Sequence, residues 1–448
     1  MYQPTPLPPL RPTRRAVLGA GLGGTTAVAL AVTGAAPAAA ASSQKATPVS
    51  DRHVLLTSFS GSGFDRGVGS GTQRTAAGLV IGSPTATRSY TDPFGGPTVA
   101  YDSASWLSPV VAPPFALTEL VSSWAVDTPG RTWVEVLVRG TDDTGTQTGW
   151  FVLGRWCSHD PDDGGAIHRT SVNGQGTAVA TVWTDTLHLL SKRTLRDWQL
   201  QVNLLRPTGA TDTPTVRLLA AMASAMPKDG KVPVSPTVGA PAVTLDVPTL
   251  SQEVHRGHYP QWDNGGEAWC SATCTAMVLR YWQTGPTAAD TSWVTTDPPN
   301  DAVVDFAARN VFDYTYDGAG NWPFNTAYAA RYGLEAFVTR LRSLTEAEQL
   351  VRAGIPLVAS VSFGKNELDG AGYGSNGHLL VIVGFTETGD VVVNDPASHL
   401  LADDSQVRTV YRRDQFENVW VPRSGGIVYV IRPASVPLPP PPGAEPNW

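Results

Sequence analysis

Hydrophobic positions change their period along this 448-residue chain. From about Asp51 to Met226 they alternate with polar ones or form short runs: Val134–Val138, Trp150–Gly154, Thr177–Thr181, Gln199–Leu204 and Thr215–Leu219. A period of two in short stretches marks strands. Turn-forming clusters such as Gly140–Gly145 and Asp160–Gly165 separate them. Short strands with regular turns predict an all-β sandwich or jelly roll over 51–226. Such a domain serves either as a binding module or as packing.

The pattern then shifts. Residues 227–243 are rich in Pro, Gly and Lys and read as an extended linker. Over 244–433 a helical period opens at Cys270 and runs to Trp282, and Ser343 with Glu346 forms a capping box for a second helix that stops before Gly354. Strand-like runs follow at Pro356–Phe363, Leu379–Thr386, Asp390–Asn394 and Ile427–Ile431, with Thr388 and Gly389 as a turn. Helices first and an antiparallel sheet second predict an α+β domain. Residues 434–448 form a polyproline tail, expected to be disordered.

Composition narrows the setting. The length leaves room for two or three domains, each with its own core. A net charge of −7 argues against nucleic acid as the partner, because phosphate binding needs a basic face. Residues 1–41 read as an export signal of the twin-arginine type, with Arg14-Arg15, an apolar Gly/Ala stretch and small residues up to Ala41. No later segment has an apolar run of spanning length, so an exported, extracytoplasmic protein with no transmembrane segment in its mature chain is expected. The acidic clusters at Asp142-Asp143 and Asp160–Asp163 read as turn formers, since their spacing matches no calcium loop.

There are three cysteines. Cys270 and Cys274 are one helical turn apart, about 5–6 Å between Cβ atoms, too far for the roughly 3.5–4.5 Å of a disulfide. Cys270 stands where a Gly-rich loop gives way to a helix, and the positive end of a helix favours thiolate. His378 follows the loop Gly372–Gly377 and opens an apolar strand; Asp395 closes the next one. A hairpin would bring His378 and Asp395 together at one end of the sheet. Cysteine-dependent acyl transfer needs these types: a thiol nucleophile, an imidazole to move its proton, and a carboxylate to orient the imidazole. The Cys270 N–H and the Gln252 side-chain amide could supply an oxyanion hole. Cys274 lies deeper in the helix and reads as packing. His255, His258 and Cys270 as zinc ligands fit no common finger or ribbon spacing, so no metal or cofactor is expected.

The segments around Gln252 (Val-Pro-Thr-Leu-Ser-Gln), Cys270 (Trp-Cys-Ser-Ala-Thr-Cys), His378 (Gly-His-Leu-Leu-Val-Ile-Val-Gly-Phe) and Asp395 (Val-Asn-Asp-Pro-Ala) resemble the papain-like cysteine peptidases of family thirty-nine. The resemblance covers about Thr244 to Pro433. It implies a papain-like fold, with Cys270 as nucleophile, His378 as base, Asp395 as its orienter and Gln252 in the oxyanion hole. The family usually has a small residue and then Pro after its nucleophile, where this chain has Ser271-Ala272. Its transporter-linked members carry membrane and ATP-binding domains, which are not read here, so cleavage after a double-glycine leader is not implied. The N-terminal β-domain resembles one joined to secreted peptidase-like domains in actinobacteria.

The resulting expectation is an exported cysteine peptidase acting on a peptide or protein. Two alternatives share these residues: a secreted peptide- or glycan-binding protein with a degenerate peptidase domain, and an amidase or endopeptidase on peptidoglycan stem peptides. In either case the β-domain is a candidate for contact with cell wall or glycan.

Overall fold

The computed structural model describes residues 51–228, 230–295 and 301–448. The expected export signal over 1–41 lies outside them. No helix among the described residues is long and apolar enough to cross a membrane.

Alternating apolar residues build two antiparallel sheets from the N-terminal half. One centres on Glu119–Asp127 and Thr215–Ala225, which also pairs with His53–Ser60. The other centres on Leu195–Pro207, flanked by Val99–Leu107 and Trp133–Asp142, with Phe151–Trp156 at one edge. Inward residues such as Leu120 and Trp124 of the first sheet and Val136 and Trp198 of the second join one buried cluster. The acidic turns behave as turns. Asp142 Oδ1 accepts from the N–H groups of Thr144 and Thr146, 2.9 Å each, and Asp160 is engaged by Arg309 at 3.2 Å.

The second sheet system has the order Glu335–Arg340, Ile427–Arg432, Leu357–Phe363, Ser375–Phe385, Val391–Asn394, Arg408–Tyr411, all antiparallel. Both its faces are covered. Val381, Val383, Tyr429 and Val338 pack with the helices Cys270–Tyr281, Ala302–Val311 and Trp322–Ala330. Leu380, Ile382, Val428 and Val430 pack with Leu344–Arg352 and Arg413–Ser424. Burial on both faces explains the near-continuous apolar run of the histidine strand, which would otherwise alternate. Helices therefore interleave with the strands rather than all preceding them. The expected capping box is not formed: Glu346 accepts from the N–H of Arg342, the residue before the cap, at 2.8 Å, and Ser343 gives no side-chain cap.

One expectation, the disordered tail, is corrected here. The segment after Met226 is extended but held down: Val232 and Ser235 donate their N–H groups to Asn418 and Glu417, at 2.8 and 2.7 Å. The proline-rich tail is also seated. Pro446 accepts from Leu56 N–H at 2.9 Å, Asn447 donates to Arg340 O and Glu346, 2.8 Å each, and Trp448 is buried. A polyproline strand has no internal hydrogen bonds, and here outside donors take its carbonyls.

The two halves do not have separate cores. Phe324, on the helix Trp322–Ala330, sets its ring 6.0 Å from Trp124 and 5.3 Å from Trp156. Asp185 caps the same helix by accepting from Trp322 N–H at 2.9 Å. Ser123 accepts from Val338 N–H at 2.8 Å, and Arg340 donates to Ser224 at 2.8 Å and to Glu119. Burial raises the Glu119 pKa, but Arg340 and His188 lower it to about 2. Phe324→Ala is expected to cost about 3–5 kcal/mol through lost burial and a residual cavity. Both halves should then unfold together at a lower midpoint. Calorimetry resolving a single shifted transition would support this; two transitions, with the β-sheets unmoved, would show that the core is not shared.

Candidate active site

The loop from Gln252 to Trp269 winds back on itself before the cysteine helix begins. Gly265 has φ +106°, and a Cβ on Gly266 would lie 2.3 Å from the His255 carbonyl carbon and 2.4 Å from Gln252 O. Only glycine allows that approach. Trp269 then opens the helix Cys270–Tyr281, fixed by its indole N–H on Trp262 O at 2.6 Å. This places Cys270 at the first helical position, 8% exposed. The helix lies across the strand Ser375–Phe385, with Cys274 Sγ donating to Leu379 O at 3.3 Å.

That strand carries His378. Its neighbour pairs Val381 with Asn394, so the next residue, Asp395, leaves the sheet beside His378. His378 Nε2 meets Asp395 Oδ1 at 2.8 Å. The Cys270 thiol is the ring's second neighbour, and after Asp395 it also raises the His378 pKa. With Nε2 committed to the carboxylate, Nδ1 is the nitrogen left for the sulfur. Burial pulls the His378 pKa down, but the charge and hydrogen bond of Asp395, and then Cys270, outweigh it and raise it from 6.5 to about 10. Burial pushes Asp395 the other way from the imidazolium beside it, and the imidazolium wins: its pKa is lowered.

Asp395 is fully buried and fully occupied. Tyr373 OH donates to both its oxygens at 2.9 Å, Tyr411 OH to Oδ2 at 2.7 Å, and the Ala397 N–H to Oδ1 at 3.0 Å. A carboxylate with this many donors stays ionised even away from water. Burial and the nearby carboxylate push both tyrosines up, so they remain neutral donors. A cavity of about 400 Å³ elsewhere, lined by Arg52, Arg342 and Glu445, includes none of these groups.

Two family models account for most of the chain. Residues 56–224 match the Peptidase C39 N-terminal domain, and residues 244–428 match the Peptidase C39-like family. The chain belongs to the C39-like peptidases. A crystal structure described as a C39-like peptidase from Bacillus anthracis is 20% identical, covers 43% of this chain and 98% of its own, and superposes with a TM-score of 0.28, too slight for an argument about fold. No curated protein matches the chain.

In this C39-like peptidase the structure brings Cys270, His378 and Asp395 together. Gln252 sits beside them in the same loop system but is turned to other work. Its amide donates to Glu267 O at 2.7 Å and, more weakly, to Glu253 at 3.4 Å, while its own oxygen is buried without a hydrogen-bond partner. The sequence reading missed Tyr373 and Tyr411. Tyr373 lies in the glycine loop before His378, a signal of proximity; Tyr411 is set by the pairing of Val391 with Tyr411 across the sheet edge, which nothing local encodes. All three cysteines are free and buried. Burial, opposed by Arg169, pushes the Cys157 thiol up to about 12; burial and then Cys270 and Asp395 push Cys274 up as well.

Proposed function

We propose that this chain is an exported cysteine peptidase working through Cys270, His378 and Asp395. The observation that carries the reading is the imidazole held between a thiol at a helix N-terminus and a buried carboxylate. His378 takes the Cys270 proton, and the thiolate attacks the peptide carbonyl carbon. The oxygen charge that develops faces the Cys270 N–H; the Gln252 amide joins it if its hydrogen bond to Glu267 is exchanged for the substrate. The imidazolium then gives its proton to the leaving amine as the C–N bond breaks, leaving a thioester. His378 next removes a proton from water, which attacks the thioester, and the free acid leaves with the thiol restored. Asp395 holds the ring and favours its charged form. The Arg14-Arg15 segment supports export before the enzyme acts. The seating of the β-domain on the helix Trp322–Ala330 supports a structural role for that domain.

The proposal sets a pH profile. Turnover needs the imidazolium, whose pKa Asp395 raises from 6.5 to about 10. The alkaline fall in kcat/KM on a fluorogenic peptide mixture is therefore expected well above pH 6.5 and towards 10. In Asp395→Asn, which lacks the main raising cause, that limb should move to lower pH. An alkaline limb that stays in place in the variant would refute the assigned role of Asp395. Iodoacetamide should label Cys270 far faster than Cys157 or Cys274 in the folded protein, because both of those thiols have raised pKa values. Equal rates would overturn the reading.

A further inference from the structure

Two histidines of the loop before Cys270 take no part in the reaction above. His255 is fully buried, and Asp305, facing it from the helix Ala302–Val311, is nearly so. Asp305 offers one oxygen to each ring: Oδ2 lies 2.9 Å from His255 Nδ1, and Oδ1 lies 3.1 Å from His258 Nδ1. The rings meet edge to face with centroids 5.2 Å apart.

The two contacts differ in kind. That of His258 is aligned as a hydrogen bond. That of His255 is close but misaligned, so that both His255 nitrogens are buried without a hydrogen-bond partner. Proteins seldom bury an imidazole in that condition, and an ion is one of the few remedies. A nitrogen and an oxygen that approach without pointing at each other are arranged like two ligands of one metal. At zinc–ligand distances of about 2.0–2.2 Å, tetrahedral donors stand roughly 3.3 Å apart with their lone pairs converging. The donor atoms of His255, His258 and Asp305 all lie within 4.8 Å of one another, so small side-chain shifts would close them on an ion.

We propose that His255, His258 and Asp305 bind one zinc-type divalent cation, with water as fourth ligand. Two imidazoles and one carboxylate suit zinc; calcium and magnesium prefer oxygen alone. The spacing of His255 and His258 with Cys270 fitted no zinc motif; Asp305, distant in sequence, replaces the cysteine in the set. The ion's role is to fasten the loop. His255 belongs to the same short turn as Gln252, and its ring lies 6.2 Å from that of Trp269, the residue before Cys270. A cation there would tie both to the helix Ala302–Val311. The site stands whether or not Cys270 is catalytic.

The test uses the full chain carrying Cys270→Ala, so that the active-site thiol holds no metal. The protein is stripped with a chelator and titrated with zinc against a chromogenic zinc indicator. One equivalent is expected to bind and to raise Tm by several degrees. His258→Gln should weaken binding roughly tenfold or more, Asp305→Asn further, and both should lose the Tm shift. His258 is partly exposed, so His258→Gln carries the test should Asp305→Asn fail to fold. Failure of the Cys270→Ala protein to bind, or unchanged affinity in His258→Gln, overturns the site. Uptake seen only when Cys270 is present assigns the metal to the thiol and overturns it too.

Discussion

Replacing Cys270 by alanine is expected to reduce hydrolysis of a peptide mixture to background, a loss on the order of 10⁴-fold or more. The thiol is the only nucleophile the proposed reaction has, and His378 without it has no proton to take. The fold should barely notice. Cys270 is slightly exposed, and its backbone contacts belong to the helix start, which alanine keeps. Cys274→Ala is the matching control. That sulfur is fully buried against Leu379 O, so its removal should cost about 1–2 kcal/mol of stability while leaving most activity. Intact mass after iodoacetamide, with hydrolysis of the same samples, reads both. Activity that survives in Cys270→Ala and vanishes in Cys274→Ala would move the nucleophile one helical turn inward and sink the assignment.

Much of the site was legible because its signals are local. A glycine loop running into an apolar helix needs only adjacent residues, and so does a histidine before an apolar strand. Their convergence was inferred from a hairpin, and the pairing of Val381 with Asn394 provides it. The strands Trp133–Asp142, Leu195–Pro207 and Leu357–Phe363 were readable for the same reason, although the ends of the first two were not. What escaped depends on distant partners. Glu335–Arg340 gains its place from the Ile427–Arg432 strand and from Ser123 of the other half. The helix Trp322–Ala330 was not read at all, and the place of Phe324 in it is set by Trp124 and Trp156 of the other half. The tail looked disordered because proline lacks a donor, yet a donor-poor strand can still be held through its carbonyls. Tyr411 and Asp305 teach the same lesson: a residue's chemistry is local, but its partner is set by topology.

Asp395 should be the position whose loss harms both folding and turnover. Asp395→Ala leaves the hydroxyls of Tyr373 and Tyr411 and the His378 ring without their shared acceptor in a buried site. Breaking a buried charged pair on one side costs about 3–5 kcal/mol. Asp395→Asn keeps the shape, so its stability loss should be smaller, while activity still falls by roughly 10²–10⁴-fold through the lost orientation of the ring. The pH dependence separates this pair from ordinary packing. His378 has a folded pKa above its unfolded value, so its contribution is complete below pH 6.5 and fades as pH rises through about 10. Asp395 has a folded pKa below 3.8, so its contribution is present above that value and fades as pH falls through the lowered one. The destabilisation caused by Asp395→Asn should therefore be greatest between about pH 4 and 6.5 and shrink towards pH 10. Urea midpoints of parent and variant, taken across that range, measure it directly. A difference that stays flat to pH 10 would mean that the aspartate supports the fold by shape alone, with no charge on the imidazole for it to hold.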